Sequence, residues 1–406
     1  MNIFKIAWRN LWRNKRRTLI TAASLFFAVF FALIMRSMQL GTYDLMIDSA
    51  VRQYSGFVQI QNKNYWEEKT IDEMMTDSDS LRKLIENQKG VVSLLPRLES
   101  FALASSGNKT KGIILQGVDP IKDDKMTHLS DRLVKGEYLK TGDDGVVLGQ
   151  KLSSFLKLNV GDTVVLLSQG YHGVTAANIF PIRGIIKVPS PMLDARLIMT
   201  SIESAQDFYG AENMLTSIVV NIKSKHDIEK VMAEINPLLQ NTDLAILSWT
   251  DMNKELKQQI DSDDGSGQIM LGILYMVVFF GVLGTIIMLT AERKKEFAVM
   301  VAVGMQRTRL SLLVFIETIL IGVVGIASGI LAALPIILYY YKSPIRLTGD
   351  MAATYENMGI EPLMGFSIQP AIFYNQIIIV FIVLVIALIY PTIKIWFFEL
   401  ITALKS

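Results

Sequence analysis

An ionisable residue inside an apolar run is the first chemical oddity of this 406-residue chain. Glu317 lies about two turns into a long apolar segment, where a carboxylate is costly unless paired. Two roles suit it: coupling an aqueous face to a helix bundle, or a structural hydrogen bond or ion pair to a nearby base. Just upstream, Ala291–Leu310 (AERKKEFAVMVAVGMQRTRL) carries Arg293, Lys294, Lys295, Arg307 and Arg309 with Glu292 and Glu296, apolar residues between them and a break at Gly304. Such a segment suits a short helix that docks a soluble partner. The other reactive types do not assemble. His128, His172 and His226 stand far apart without ligand spacing, and Asp261–Gly267 (DSDDGSG) lacks the spacing and closing Glu of a calcium loop. The chain has no GxxxxGK[ST], HExxH or GxSxG, and no cysteine to serve as nucleophile, metal ligand or disulfide. No catalytic residue, metal or cofactor is therefore expected here, and any energy source must lie elsewhere.

The elements that position these residues follow from hydropathy. The chain is 51% hydrophobic and only 19% charged, and the apolar residues concentrate in four runs long enough to span a bilayer. They cover 18–40, 268–290, 310–341 and 373–395. Six basic residues and no acid precede the first run (Lys5, Arg9, Arg13, Lys15, Arg16, Arg17), which places the N-terminus in the cytoplasm. With four spans, 291–309 and the tail 396–406 are cytoplasmic as well. The insert 41–267 and the loop 342–372 fall outside. The insert holds 24 Lys and Arg against 31 Asp and Glu, a net of −7, as the positive-inside pattern requires. The apolar run is long and no small-x-small site follows it, so no cleavage is expected.

In chain order, residues 1–17 form an amphipathic elbow helix whose Ile3, Phe4, Ala7, Leu11 and Trp12 can face lipid. Gly41–Tyr54 and Trp249–Ile260 keep helical spacing and read as stalks that lift the insert from the membrane. Within the insert, alternation marks strands at Phe57–Asn62, Val91–Leu103, Lys111–Val118, Leu158–Gly161, Thr163–Leu167, Ile179–Val188, Leu197–Met199 and Ser217–Ile222. Helices are expected at Ser78–Gln88, Gln150–Lys157 and His226–Leu239. The fold class is thus an α-helical membrane protein with four transmembrane helices and a large extracytoplasmic α+β domain inserted between helices 1 and 2. Ser168–Asn178 reads as an exposed hairpin tip, and Asp261–Gly267 as a linker. Gly322, Gly325 and Gly329 permit close helix approach, within the subunit or across a dimer.

Four stretches in order, WRNLWRNKRRT (Trp8–Thr18), GVVLGQKLSSFLKLNVGDTVVLL (Gly145–Leu167), ERKKEFAVMVAVGMQRTRL (Glu292–Leu310) and ETILIGVVGIASG (Glu317–Gly329), carry a family resemblance. The chain resembles the FtsX-like ABC-transporter permeases, which include macrolide-exporter and lipoprotein-releasing membrane subunits. LVKGEYL (Leu133–Leu139) and the stretch Gly112–Pro120 are more similar to the lipoprotein-releasing kind. The resemblance implies a dimer with a second permease subunit, the same or a related chain, bound to a cytoplasmic ABC ATPase dimer that holds ATP and Mg. It implies a coupling helix in which Glu292, Arg293, Glu296, Gly304 and Arg307 meet the ATPase. It also implies mechanotransmission in a bacterial inner membrane, extracting lipoproteins or similar amphiphiles from the outer leaflet. Substrate would enter near Phe26, Phe27, Phe30, Phe279 and Phe280, and a hairpin at Gly170, Tyr171, His172 and Gly173 would bind a periplasmic carrier. Two other functions suit the same residues: a non-transporting activator of an extracytoplasmic hydrolase, and tripartite export of a small amphiphile or peptide. Nucleic acid is no partner, because the basic run leads straight into a span.

Overall fold

The computed structural model describes residues 3–13, 15–357 and 360–397, so most of the expected 396–406 tail lies outside the described residues. Two compact units make up the chain. One comprises Met1–Asp44, Ile260–Ile345 and Met364–Ser406, the other Leu45–Gln259 and Arg346–Leu363.

The first unit is helical. Four helices are long and apolar enough to cross a membrane: Thr18–Ile47, Lys254–Glu292, Arg307–Lys342 and Pro370–Phe397. Below, these are the first to fourth span helices. The fourth breaks at Leu388 into Pro370–Ala387 and Ile389–Phe397. Pro391 has no N–H to give the carbonyl of Ala387, which accounts for the break. Asp261–Gly267, expected as a linker, is instead part of the unbroken helix Lys254–Glu292. Partners on the first span helix explain this: Asp264 pairs with Arg36 at 2.5 Å, and Asp263 accepts hydrogen bonds from Tyr43 Oη at 2.5 Å and Gln39 Nε2 at 3.3 Å. The acids of the expected linker are thus held in register along a helix, which outweighs the weak helix propensity of Gly265 and Gly267.

The N-terminal helix Ile3–Arg13 turns Ala7 and Leu11 into the bundle and leaves Phe4, Trp8 and Trp12 exposed. The expectation that Ala7 and Leu11 face lipid is therefore corrected. They sit on the stripe that meets the protein, and the bulkier aromatics are left for the bilayer interface.

Glycines bring the span helices together. A Cβ built on Gly325 would lie 2.7 Å from Leu25 Cβ, one on Gly329 would lie 2.9 Å from Val29 Cβ, and one on Gly322 would lie 2.3 Å from Leu384 Cδ1. Gly325 and Gly329 thus seat the third span helix on the first, and Gly322 seats it on the fourth, all within one subunit. Gly325→Ala is expected to destabilise the helical unit by about 1–3 kcal/mol through overpacking. Gly281→Ala, whose Cβ would meet nothing within 4 Å, should be neutral. Thermal unfolding of the two variants in one detergent checks the contrast.

The second unit is α+β. The strands of its main sheet are β1 (Val58–Asn62), β2 (Val91–Ser106), β3 (Lys109–Val118), β4 (Leu133–Gly136), β5 (Val146–Gly149), β6 (Thr163–Gln169), β7 (Thr175–Ile186), β8 (Leu197–Ser201), β9 (Ser217–Ile222) and β10 (Leu244–Ser248). They form one sheet in the order β10-β1-β9-β2-β3-β8-β5-β7-β4, with β6 pairing both β2 and β7. That extra strand closes β2, β3, β8, β5, β7 and β6 into a barrel. The barrel encloses Leu98, Ile113, Leu115, Leu148, Val164 and Ile182 among other buried side chains. The 16-residue strand β2 is shared between two layers. Its first half pairs with β9 in a flatter sheet covered by the helices Asp79–Glu86 and Ile228–Leu239, and its second half pairs with β3 and β6 in the barrel. Leu158–Gly161, expected as a strand, is a turn. Gly161 there has a φ of +91°, which extended backbone does not allow.

Candidate functional site

A cluster of buried and half-exposed charges lies where the second span helix gives way to the third. The second span helix ends at Glu292, and the bridging helix Lys294–Ala302 follows. That short helix stops at Gly304, whose φ of +105° is left-handed. Met305 N–H donates to Met300 O at 2.9 Å and Gly304 N–H donates to Val301 O at 3.0 Å, the two bonds of a Schellman stop. Met300 and Met305 pack on the same small core, completing it. Gly304 is thus required by the backbone, and the third span helix starts afresh at Arg307.

Inside this turn, Arg293 and Glu317 form a two-pronged ion pair. Arg293 Nη1 donates to Glu317 Oε2, and Nη2 donates to Oε1 at 3.3 Å. Their side chains are each 10% exposed. Asn10 of the N-terminal helix adds a bond from Nδ2 to Glu317 Oε1 at 2.7 Å. The guanidinium also donates from Nε to Glu296 Oε2 at 3.3 Å and lies 5.1 Å from the Phe297 ring. At the rim, Arg13 reaches Glu296 at 2.5 Å, with both side chains about half exposed. The cluster ties together four segments: the N-terminal helix, the end of the second span helix, the bridging helix and the third span helix. The inner pair carries the energetic weight, because a rim pair in water is worth about 0–1 kcal/mol. Arginine suits the inner role, since its planar fork meets both carboxylate oxygens at once.

The expected coupling residues therefore divide. Arg293, expected to face a partner, is turned inward and is 8% exposed, because it neutralises the Glu317 carboxylate. Glu296 is exposed but engaged with Arg13 and Arg293. Arg307 lies at the start of the third span helix, outside the bridging helix, and donates to the carbonyl of Trp396. Glu292 and Gly304 are exposed. Of the apolar residues between the charges, Val299 and Val303 are 51% and 85% exposed. Both valines stand uncovered beside charged residues. Sequence reasoning passed over Asn10. Its only signal was being a neutral polar residue within a run of basic and apolar ones.

The other expected sites separate in the same way. Phe26 and Phe30 are half-buried and stacked at 5.8 Å, and Phe279 packs on the bundle core, while Phe27 and Phe280 are exposed. In the second unit, β6 and β7 meet in a hairpin at Gly170–Val174. Its tip is tied down. Gly170 is buried, with room only for a glycine against Tyr209 O, and Tyr171 packs on the barrel core. His172 and Gly173 are exposed, and His172 N–H donates to Asp72 Oδ1 at 2.9 Å. Beside the hairpin, Phe101, Leu103, Val165, Leu167 and Ile179 form an exposed apolar stripe across β2, β6 and β7. Among the described residues, no group of His, Asp and Glu is placed to hold a metal ion.

Residues 18–238 match the MacB-like periplasmic core domain, and residues 268–400 match the FtsX-like permease C-terminal domain. The chain belongs to this family of ABC transporter permeases. It is a multi-pass membrane protein with a periplasmic α+β domain between its first and second span helices, and permeases of this family have no catalytic activity of their own. Among curated proteins, this permease is 21% identical over 268 residues to the lipoprotein-releasing system transmembrane protein LolC of Neisseria meningitidis serogroup B, covering 64% of each chain. It is 24% identical over 211 residues to an uncharacterized ABC transporter permease, MJ1507, of Methanocaldococcus jannaschii, covering 49% of this chain and 51% of that one. The permease thus spans less than two thirds of the length of these relatives. Among solved structures, the periplasmic region of MacB from Actinobacillus actinomycetemcomitans aligns at 17% identity with a TM-score of 0.36, covering 51% of this chain and 93% of that one. The family implies an ATPase partner.

Proposed function

We propose that the permease transmits force from a cytoplasmic ABC ATPase dimer to its periplasmic domain, and so releases lipoproteins or similar amphiphiles from the outer leaflet of a bacterial inner membrane. One observation carries this reading. The Arg293–Glu317–Asn10 cluster locks the bridging helix to the third span helix and the N-terminal helix, so a push on that turn moves three helices together. The similarity to LolC supports the substrate class. Basic residues ahead of the first span support a cytoplasmic N-terminus, and four spans would return the C-terminus to the same side. ATP and Mg belong to the ATPase, and a second permease, identical or related, completes the assembly. The apolar stripe beside the hairpin suits a periplasmic carrier or the lipoprotein itself.

Glu296 and Arg307 are engaged within the chain, so replacing them would confuse docking with local disruption. The cleaner variant is Val299→Asp/Val303→Asp on the exposed face. With the ATPase tagged, co-purification of this variant is expected to fall by about tenfold or more, because each aspartate is desolvated at the contact. The thermal unfolding of its periplasmic domain should be unchanged. Undiminished co-purification would overturn the docking assignment. Mass spectrometry of the parent complex then tests the substrate: acylated peptides support release, a bound hydrolase points to regulation, and a small amphiphile with an outer-membrane partner points to export.

A further inference from the structure

A recess of about 200 Å³ opens between the end of the second span helix, the first turn of the bridging helix and the helix Ile389–Phe397. Two cations line it, Lys294 and Lys394, with the ring of Tyr390 5.9 Å from Lys394 Nζ. Ile287 and Ile395 supply an apolar side. No carboxylate stands among the described lining residues, and among the described residues neither lysine forms an ion pair. That contrasts with Arg293 one position away, whose charge is fully committed to Glu317 and Glu296. The uncharged stretch of the second span helix ends at Thr290, so the recess lies at the depth where acyl chains give way to headgroups. The start of the bridging helix adds partial positive charge from its first amides.

We propose that this recess binds the phosphate of an acidic glycerophospholipid, with the headgroup on Lys294 and Lys394 and the first part of an acyl chain along Ile287 and Ile395. Paired cations without an acid select an anion, and the adjoining apolar wall selects one attached to a lipid. Bound there, the lipid bridges the bridging helix to the last span helix, so the acidic-lipid content of the membrane stiffens the same turn that the inner ion pair holds. This inference rests on the spans and the recess, and it stands or falls separately from the substrate reading.

The test uses the whole permease in nanodiscs of phosphatidylcholine and phosphatidylglycerol, with retained lipid counted by native mass spectrometry after transfer to neutral detergent. Phosphatidylglycerol is expected to be retained roughly twenty-five-fold over phosphatidylcholine, each lysine contributing about fivefold. Lys294→Gln/Lys394→Gln should abolish the preference, and Lys295→Gln, outside the recess, should keep it. If the double variant fails to fold, Lys394→Gln alone must cut the preference about fivefold, and Lys294→Arg/Lys394→Arg must retain it. Equal retention by the Gln variants and the parent overturns the proposal. So does inorganic phosphate raising thermal stability as much as phosphatidylglycerol does, which would mark a free-anion site. Protection of both lysines from an amine-modifying reagent by an added protein subunit, but not by phosphatidylglycerol, assigns the recess to a protein interface instead.

Discussion

Glu317→Leu is expected to destabilise the helical unit by about 3–5 kcal/mol, although it replaces a charge with a residue typical of a span. The reason is what remains behind. Arg293 would keep a buried guanidinium with only Glu296 at the rim, and Asn10 would lose its acceptor. Arg293→Met should cost a similar amount by stranding the carboxylate. The double variant Arg293→Met/Glu317→Leu should recover most of the loss, because two apolar side chains can occupy a space where two unpaired charges cannot. Thermal unfolding of the four proteins in one detergent closes the cycle, and additive losses would show that the pair is not coupled. A functional signature follows as well. The single variants should uncouple ATP hydrolysis from release, since the bridging helix is no longer held to the third span helix.

Arg97→Met should damage the periplasmic unit by a comparable margin, again about 3–5 kcal/mol. Arg97 and Asp123 are each 2% exposed and pair through Nη2 at 2.6 Å and Nε at 3.1 Å. Arg97 Nη1 also donates to the carbonyl of Tyr54, in the π-helical turn Asp48–Ser55 that follows the first span helix. The guanidinium therefore anchors that turn to β2 at the residue where the flat sheet and the barrel divide. Losing it leaves a buried carboxylate and a freed carbonyl together. Amide hydrogen exchange should speed up at Gly56, whose N–H donates to Val51 O at 2.6 Å, along with the loss of global stability. Arg97→Lys should not rescue the turn, because one ammonium cannot serve Asp123 and Tyr54 in the same geometry. Unchanged exchange at Gly56 in Arg97→Met would exclude the anchoring role.

Local features of the chain were legible wherever a single residue or a period decides them. Hydropathy located four apolar helices, and alternation located β1, β3 and β9 to within about two residues. The failures were also physical. Asp261–Gly267 reads as a linker by composition, yet it is helical because Arg36, Gln39 and Tyr43, more than two hundred residues earlier, donate to its Asp263 and Asp264 carboxylates. Leu158–Gly161 carries apolar residues, but Gly161 turns the chain there.

At the candidate site, sequence alone supplied an ionisable residue in a span, a charged bridge with Gly304, and small residues spaced along one helix. It left Glu317 with two roles, and the glycines with two partners. Those choices depend on which faces meet across the bundle, and no residue carries that information by itself. Packing decided that Arg293 turns inward to Glu317, that Gly325 and Gly329 meet the first span helix while Gly322 meets the fourth, and that Val299 and Val303 remain outside. An apolar run, a basic flank or a left-handed glycine expresses its preference through its own backbone and solvent. A buried charge is settled only by the opposite charge that the fold brings to it.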